Sequence, residues 1–349
     1  MAADKKIDWS TPENANVLDA FMAQVDAIHV PTLSYAEGVR EMEWMRRRAR
    51  RGEGSCLIVG GRSGSGKSWL LKRNLLEHEF TQNLGPYVDP LPVISVEAPS
   101  PGDTKGLAAK LLAAVTGHAV STYDSESVLL DRFEKLALKR GLKVIKIDEF
   151  QHVLDRMERK DRTRNKTKEK VASENIKSKI NTAPFQWILS GEPQVLSFFN
   201  EWEQFESRGK TLPLRPFAWP ADEGEFAAFL DGYDEQLTAL DFKRKSGLAG
   251  IVARFQLATA GFHGKAVRRL LKDSAESAFM ARDPDISAAL PVTFERWKRL
   301  GDRENPFLME EREVRRRLGS VERKPAVATS QPAIRGTGKG LDTSPSFGL

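Results

Sequence analysis

The sequence predicts an α/β protein in which helices sandwich a mostly parallel β-sheet and a small helical lid follows. Short apolar runs alternate with helical patterns up to residue 215, and such alternation implies right-handed crossovers between parallel strands. The first apolar run leads into Gly-x-x-x-x-Gly-Lys-Ser at residues 61–68, which is a phosphate-binding P-loop in its expected strand–loop–helix context. Beyond Pro216 the strand patterns stop and only helical patterns remain.

Each element follows from a local pattern. The predicted strands are Cys56–Gly60, Pro92–Glu97, Leu142–Asp148, Phe185–Ser190 and Thr211–Arg215. Pro213 cannot donate a ladder hydrogen bond, which places the fifth strand at an edge of the sheet. Apolar residues at helical spacing predict helices over Val17–Ile28, Tyr35–Arg51, Lys67–Phe80, Lys105–Val115, Ser125–Arg140, Ala221–Tyr233, Leu248–Thr259, Lys265–Ala281, Val292–Leu300 and Asn305–Arg317.

These elements suggest a division of the chain into five parts. We expect an N-terminal helical segment at residues 1–51, a P-loop core at 52–217, a helical lid at 218–301 and a charged helix at 302–319. Residues 320–349 lack periodicity and bulky apolar side chains, so a disordered tail is expected there.

Composition excludes several classes of protein. The chain has 349 residues and a single cysteine, Cys56, so no disulfide framework exists and a cytoplasmic location is expected. No apolar run approaches the ~18 residues of a membrane span, and the polar N-terminus does not resemble a signal peptide. The formal charge of +6 weakly favours a polyanionic partner.

The P-loop predicts ATP and Mg²⁺ as cofactors. Glycines allow backbone N–H groups to wrap a triphosphate, and the following helix points its positive end at the phosphates. Lys67 is expected to reach the β/γ oxygens, and Ser68 to offer a hydroxyl to Mg²⁺. The alternative is a glycine-rich loop with a chance lysine, which the flanking strand and helix disfavour. The candidate nucleotide-contacting residues here are Gly61, Ser63, Gly64, Ser65, Gly66, Lys67, Ser68 and Trp69.

Two acidic residues end the third strand, at the edge of the sheet where parallel folds bind their ligands. Asp148 is placed to hold Mg²⁺, directly or through water. Glu149 is the candidate general base that polarises the attacking water. The alternative interpretation is an acidic cap at a strand-to-helix junction.

Further polar residues follow at expected positions around such a site. Ser190, at the tip of the fourth strand, is a candidate for orienting the lytic water, or an ordinary turn serine. Arg208 precedes the fifth strand and is a candidate for reaching a neighbouring subunit's γ-phosphate; Arg215 is the second choice, and a surface arginine is the alternative. Lys265 or Arg268, at the start of a lid helix, is a candidate for facing the nucleotide, with solvated cations as the alternative.

A basic segment follows the acidic pair. Residues 156–170 contain eight cations and three anions, a local charge of +5, without an apolar stripe. Such a segment suits contacts to the DNA backbone without base reading, whereas a solvated loop is the alternative. The candidate DNA-binding residues are Arg159, Lys160, Arg162, Arg164, Lys166, Lys168 and Lys170.

Taken together, the motifs resemble those of the TniB/TnsC transposition ATPases, which are AAA+ ATPases of bacterial transposons and relatives of the Mu target-capture ATPase. The resemblance covers residues 25–275 and rests on Gly61–Ser68, Pro99–Pro101, Ile147–His152, Ile176–Asn181, Ile188–Pro193 and Glu206–Arg208. Three positions differ: Phe150-Gln151 replaces a more usual aliphatic-His pair, and Lys265 stands where arginine is commoner.

This resemblance implies the AAA+ form of the fold and a homo-oligomer, either a ring or a helical filament. It implies that the protein binds double-stranded target DNA in the presence of ATP. It also implies recruitment of a transposase of the DDE integrase type and communication with a target-selection protein, with no membrane involved.

Two other functions remain open. One is an AAA+ ATPase of the origin-binding or signalling type that acts on protein partners. The other is a P-loop small-molecule kinase, which the water-activating Glu149 and the absence of an acceptor pocket in the sequence pattern disfavour.

Overall fold

A computed structural model of the protein describes residues 7–74, 80, 84, 88–100, 103–154, 178–197, 208–298 and 304–321. Within these ranges the strands form a parallel five-stranded sheet in the order β2-β3-β4-β1-β5. The strands are β1 (Ser55–Gly60), β2 (Val93–Glu97), β3 (Val144–Asp148), β4 (Gln186–Gly191) and β5 (Gly209–Pro213). The P-loop strand β1 therefore lies between β4 and the edge strand β5, so the edge position predicted from Pro213 is confirmed.

Helices cover both faces of the sheet. On one face α4 (Thr104–Thr116) and α5 (Glu126–Lys139) pack on alternate residues of the strands, such as Ile58 and Ile147. On the other face α2 (Leu33–Arg50) and α3 (Lys67–Asn74) pack on Leu57 and its neighbours. Because strand residues alternate between the faces, a strand buried on both sides reads as an unbroken apolar run, as 56–59 does.

A second apolar cluster forms the lid. Its helices are α6 (Glu223–Leu240), α7 (Val252–Thr259), α8 (Lys272–Ala281) and α9 (Ala289–Trp297), and a short helix His263–Lys265 with a π-helical segment Ala266–Leu271 leads into α8. The last described helix, α10 (Glu311–Val321), packs on α7 through Val314 and Leu318. The predicted α/β class with a helical region after it is confirmed.

The two N-terminal helices pack on different parts of the protein. Phe21 and Val25 of α1 (Pro12–Ala27) belong to the apolar cluster of the lid, whereas α2 packs on the sheet. The connection between them is fixed to the lid, since His29 exchanges two hydrogen bonds with the side chain of Gln236, at 3.2 and 2.9 Å. The chain therefore crosses from lid to core at residues 28–32.

Some boundaries differ from the sequence expectation. The helix predicted from Asn305 begins instead at Glu311, because the Asn305 side chain accepts the Phe307 N–H at 3.1 Å and holds a turn. Helix α6 continues to Leu240, seven residues beyond the predicted end. The tail is predicted from residue 320, whereas α10 continues to Val321. The remainder of that tail and the basic segment 156–170 lie outside the described residues. The proposed division into five parts stays a prediction. Among the described helices, none is both long and apolar enough to cross a membrane.

Candidate nucleotide site

A cavity of about 430 Å³ lies at the carboxyl edge of the sheet, between core and lid. Four parts of the chain form its wall: the P-loop, the ends of β3 and β4, the α1–α2 connection, and the lid. From these parts the lining residues include Ser63, Gly64, Ser65, Gly66, Lys67, Ser68, Trp69, Asp148, Glu149, Glu192, Asp26, Ile28, His29, Val30, Phe229, Tyr233, His263, Gly264, Val267, Arg268 and Lys272. A cavity of this size falls within the usual range for small-molecule ligands.

The P-loop backbone bends in a way that requires glycine. Gly64 and Gly66 have φ of 87° and 90°, which side chains rarely adopt. The bend ends at the N-terminus of α3, whose first residue is Lys67. The Lys67 ammonium donates to the backbone carbonyls of Gly61 and Arg62. Gly61 itself lies behind the loop, where an added Cβ would come 2.6 Å from the Leu214 carbonyl oxygen.

Asp148 is held on the cavity wall by three groups. Its Oδ1 accepts the Ser190 hydroxyl at 2.7 Å and the Glu149 backbone N–H at 3.1 Å, and its Oδ2 lies 3.3 Å from the Lys146 ammonium. Burial alone would raise the pKa of Asp148, but the Ser190 hydroxyl, the Lys146 charge and the Glu149 amide outweigh it and leave that pKa below its ordinary value. The carboxylate is therefore kept ionised.

Ser190 does not line the cavity itself. Its side chain is fully buried, and the hydroxyl donates to Asp148. The predicted contact between Ser190 and a water molecule stays a prediction. Within the described residues its observed role is to fix the carboxylate of Asp148.

Glu149 follows Asp148 with a φ of 53°, the left-handed region. A non-glycine residue there costs about 1–3 kcal/mol, which the surrounding structure must offset. This backbone turn directs the chain away from the strand and brings Glu149 to the cavity wall. Its Oε2 accepts a hydrogen bond from the side-chain amide of Gln151. Asp148 and Glu149 therefore face the P-loop at the same end of the sheet.

The lid touches the P-loop directly. The backbone N–H of Gly264 donates to the Gly64 carbonyl at 3.1 Å, and an added Cβ at Gly264 would lie 2.5 Å from that oxygen. His263 sits beside Gly66 and in edge contact with Phe229. Burial in this contact lowers the pKa of His263 to about 4, so the imidazole is neutral near pH 7.

The structure places the two candidate lid cations differently. Arg268 is exposed and lines the cavity, where its Nε donates to the Gly264 carbonyl at 3.3 Å. The Lys265 ammonium instead lies over the ring of Phe262, 4.3 Å from its centroid. The geometry therefore favours Arg268 as the lid cation that faces a bound phosphate, and both assignments stay predictions.

Aromatic and apolar residues also line the cavity. Trp69, predicted as a nucleotide contact, packs against His29 and Tyr35 with ring centroids 4.5 and 5.4 Å away. On the lid side Tyr233 is 1% exposed, and its hydroxyl is buried with no hydrogen-bond partner among the residues that the structure describes. Burial and the Asp26 charge raise the pKa of Tyr233.

Sequence reasoning missed several of these residues. The α1–α2 connection, Phe229, Tyr233 and His263 carry no motif, and they reach the cavity only through tertiary packing. A weak signal was present at Gly261–Gly264, where two glycines flank the start of a lid helix.

Arg208 lies at the amino ends of the strands, whereas the cavity lies at their carboxyl ends. It precedes β5, its backbone carbonyl accepts the Cys56 N–H at 2.8 Å, and its exposed guanidinium donates to the Asn181 carbonyl. Arg215, by contrast, follows β5 and is exposed at the P-loop edge, next to Leu214. The candidate DNA-binding residues between 159 and 170 lie outside the described residues.

Comparisons with known proteins agree with the fold described above. A family model for the AAA domain matches residues 49–199. Among curated proteins, none matches the sequence. A chain of the Drosophila ORC bound to DNA is similar in structure, with a TM-score of 0.54 and 14% identity over 85% of this chain and 68% of that one.

Two structures of the Aeropyrum pernix ORC2 protein are also similar. The complexes with ADPNP and ADP give a TM-score of 0.50 at 14% identity, and the ADP form gives 0.51 at 15% identity. Each alignment covers 86% of this chain and 83% of the other. The chain thus has the P-loop AAA+ fold: a parallel sheet flanked by helices and followed by a helical region. The finer resemblance to TniB/TnsC proteins stays a prediction.

Proposed function

We propose that this protein is a Mg²⁺-dependent AAA+ ATPase that binds duplex DNA and recruits or regulates a transposase during DNA transposition. The observation that carries the ATPase proposal is a single cavity wall on which the P-loop, Asp148, Glu149 and Arg268 meet. Glycine-rich backbone, a lysine, a metal-holding carboxylate and a water-activating carboxylate are the parts that P-loop ATP hydrolysis requires.

The residues present fit Mg²⁺ bound to a nucleotide. The Ser68 hydroxyl and the Asp148 carboxylate line the same cavity, and hard oxygen donors with substrate phosphates are the usual Mg²⁺ ligands. Asp148 would hold the ion directly or through water, since its Oδ2, which is paired with Lys146, keeps a lone pair for either contact. When bound, Mg²⁺ neutralises charge on the β- and γ-phosphate oxygens.

The other residues then have separate tasks. Lys67 exchanges the carbonyls of its own loop for phosphate oxygens, a change for which its flexible stem is suited. Glu149 accepts a proton from the attacking water, and Ser190 keeps Asp148 in place. Arg268 faces the phosphates from the lid, so it contacts them only when the lid is closed on the core.

Two substitutions test the ATPase proposal. Lys67→Ala removes a phosphate contact and is expected to abolish ATP binding, measured by calorimetry. Glu149→Gln keeps the cavity but neutralises the base, so ATP binding is retained and hydrolysis falls by about 10²–10⁴. Glu97→Gln, at the end of the edge strand β2, is a carboxylate control expected to hydrolyse ATP normally. Hydrolysis by Glu149→Gln at the wild-type rate would refute the assignment of the base.

The DNA-binding proposal rests on the +5 charge of residues 156–170 and on the family resemblance. One similar structure, the Drosophila ORC, is bound to DNA. Binding is expected to depend on ATP, to be indifferent to sequence and to weaken steeply with salt. Replacing Lys166, Lys168 and Lys170 with alanine should flatten the slope of log K against log salt by up to about 2.7.

A charge control separates local contacts from net charge. Lys135 and Lys139 are exposed on α5, and their replacement by alanine lowers the net charge without touching the basic segment. The slope should stay near its wild-type value in that control. An unchanged slope in the segment variant would refute its role and point instead to the arginine run at residues 46–51 or to the lid.

The transposition role is supported by the resemblance of the motifs alone. Electron microscopy of the protein on duplex DNA, with and without ATP, tests assembly into a ring or filament. Retention of a DDE-type transposase by the ATP-bound assembly, and its loss with Lys67→Ala, tests recruitment.

The similarity in fold to ORC proteins favours a second candidate, an AAA+ ATPase of the origin-binding type. The two candidates differ in their use of DNA sequence. Binding competition between unrelated duplexes separates them, because equal competition supports transposition target capture, whereas a strong preference for one sequence supports origin binding.

A further inference from the structure

The carboxyl end of β4 is connected by hydrogen bonds to both acidic residues of the site, which follow from β3. Ser190 donates a hydrogen bond to Asp148. Glu192, two residues further along, is connected to Glu149 through Gln151. The backbone N–H of Glu192 donates to Oε1 of Gln151 at 3.1 Å, and the amide nitrogen of Gln151 donates to Oε2 of Glu149. Gln151 therefore links the strand tip to the candidate base through its two amide ends.

The Gln151 side chain occupies a space made for it. It is 5% exposed, and an added Cβ at Gly191 would collide with its Oε1. The backbone on each side is also fixed, since the Phe150 N–H donates to the Ser190 carbonyl at 3.0 Å. A buried amide with both ends hydrogen-bonded cannot turn without losing a bond, so its donor points steadily at Glu149.

We propose that Gln151 is a positioning residue that orients the Glu149 carboxylate for proton abstraction from water. This inference rests on the proposed ATPase function and assigns one more residue of the same site. By occupying Oε2, the amide restricts rotation of the carboxylate and leaves Oε1 to accept the proton. Because the amide is neutral, it does this without adding a positive charge that would weaken the base.

The structure explains why Glu149 needs such a partner. Its backbone is in the left-handed region, and the side chain has no other hydrogen-bond partner among the described contacts. A glutamate side chain otherwise samples many rotamers, which separates the base from the line of attack. A misplacement of about 1 Å at a reacting group costs on the order of a hundredfold in rate.

Two variants of Gln151 test the proposal. Gln151→Leu loses both hydrogen bonds. Gln151→Glu keeps the acceptor for the Glu192 N–H, and thus the local fold, but replaces the donor to Glu149 with a repelling carboxylate. In both, kcat for ATP hydrolysis is expected to fall on the order of tenfold to a hundredfold while KM stays unchanged. Gln186→Leu is the matched control, since it removes a buried amide at the other end of β4 and should keep the wild-type kcat.

A double-mutant cycle distinguishes positioning from general damage. If Gln151 acts through Glu149, then adding Gln151→Leu to Glu149→Gln changes the residual rate no further. A wild-type kcat in Gln151→Glu, a change in KM equal to that in kcat, or additive effects in the cycle would each overturn the proposal. Absence of ATP hydrolysis by the wild-type protein would instead refute the proposed function, so the two failures are separable.

Discussion

The position of Arg208 leads to a strong prediction about assembly. The guanidinium lies at the amino edge of the sheet, and the P-loop at the carboxyl edge, with the six residues of β1 between them. At about 3.3 Å per strand residue the two edges are about 20 Å apart. Arg208 therefore cannot touch the phosphates in its own subunit, and a catalytic role requires a neighbouring subunit.

Substitution of Arg208 by alanine should have a specific set of effects. The side chain is exposed and makes a hydrogen bond to the Asn181 carbonyl, so its loss should change the free energy of unfolding by roughly 1 kcal/mol or less. ATP binding by each subunit should be unaffected. Hydrolysis should fall steeply, because a guanidinium that stabilises the transferring phosphoryl group is worth about 10³–10⁵ in rate where measured in GTPases.

Mixing two inactive variants provides the assay. Lys67→Ala lacks a working P-loop but keeps Arg208, whereas Arg208→Ala keeps the P-loop. In a head-to-tail assembly, random mixing at equal amounts gives about a quarter of the interfaces an intact P-loop facing an intact arginine. Phosphate release at fixed total protein should therefore rise and then fall as the mixing ratio is varied. Its maximum should occur at equal amounts and reach roughly a quarter of the wild-type rate.

Arg215 is the matched control because it is exposed at the P-loop edge of the same strand. If it acts in its own subunit, mixing Arg215→Ala with Lys67→Ala restores nothing, since no subunit then has a complete site. A flat response in the Arg208→Ala mixture, with co-assembly confirmed by microscopy, would refute the trans role. Loss of ATP binding by Arg208→Ala alone would refute the geometric argument.

Two further predictions concern the lid. The buried hydroxyl of Tyr233 lacks a described partner, so Tyr233→Phe should not lower the melting temperature of the ligand-free protein, whereas Tyr35→Phe, which loses a 3.0 Å hydrogen bond from Asn74, should lower it. The pKa of His263 lies at about 4, below its ordinary value of 6.5, so its contribution to stability is present above pH 6.5 and is lost as the pH falls from 6.5 to 4. Denaturant unfolding across that range should show a weaker loss of stability in His263→Phe, and equal pH dependence in both proteins would contradict the assignment.

The chemical centre of the site could be predicted from the sequence because its residues are local. The P-loop is a continuous stretch, and the acidic pair follows its strand directly, so each motif fixes its own backbone and its place at the sheet edge. The edge position of β5 could also be predicted from the sequence, since the missing N–H of Pro213 is a property of one residue.

The walls of the cavity could not be predicted in this way. His29 meets Gln236 from 207 positions away, and no pattern in either segment indicates the other. Tyr233 and Phe229 lie on an amphipathic helix that periodicity assigns to a core, and only the arrangement of the lid against the core places them at the cavity. Gln151 departs from a family pattern, but the role proposed for it depends on the glycine of β4 that makes room for its side chain.

The N-terminal helices connect the sheet, which carries the sequence motifs, to the lid, which supplies other walls of the cavity. Helix α1 is packed in the lid and α2 on the sheet, so the connection at residues 28–32 spans both, and Ile28, His29 and Val30 line the cavity. A ligand that fills the cavity must contact the core, the lid and this connection together. Binding therefore favours one orientation of the lid relative to the sheet, by as much as the ligand's affinity differs between orientations. Since Gly264 of the lid already contacts the P-loop, a change at the phosphates has a direct route to the lid and to α1.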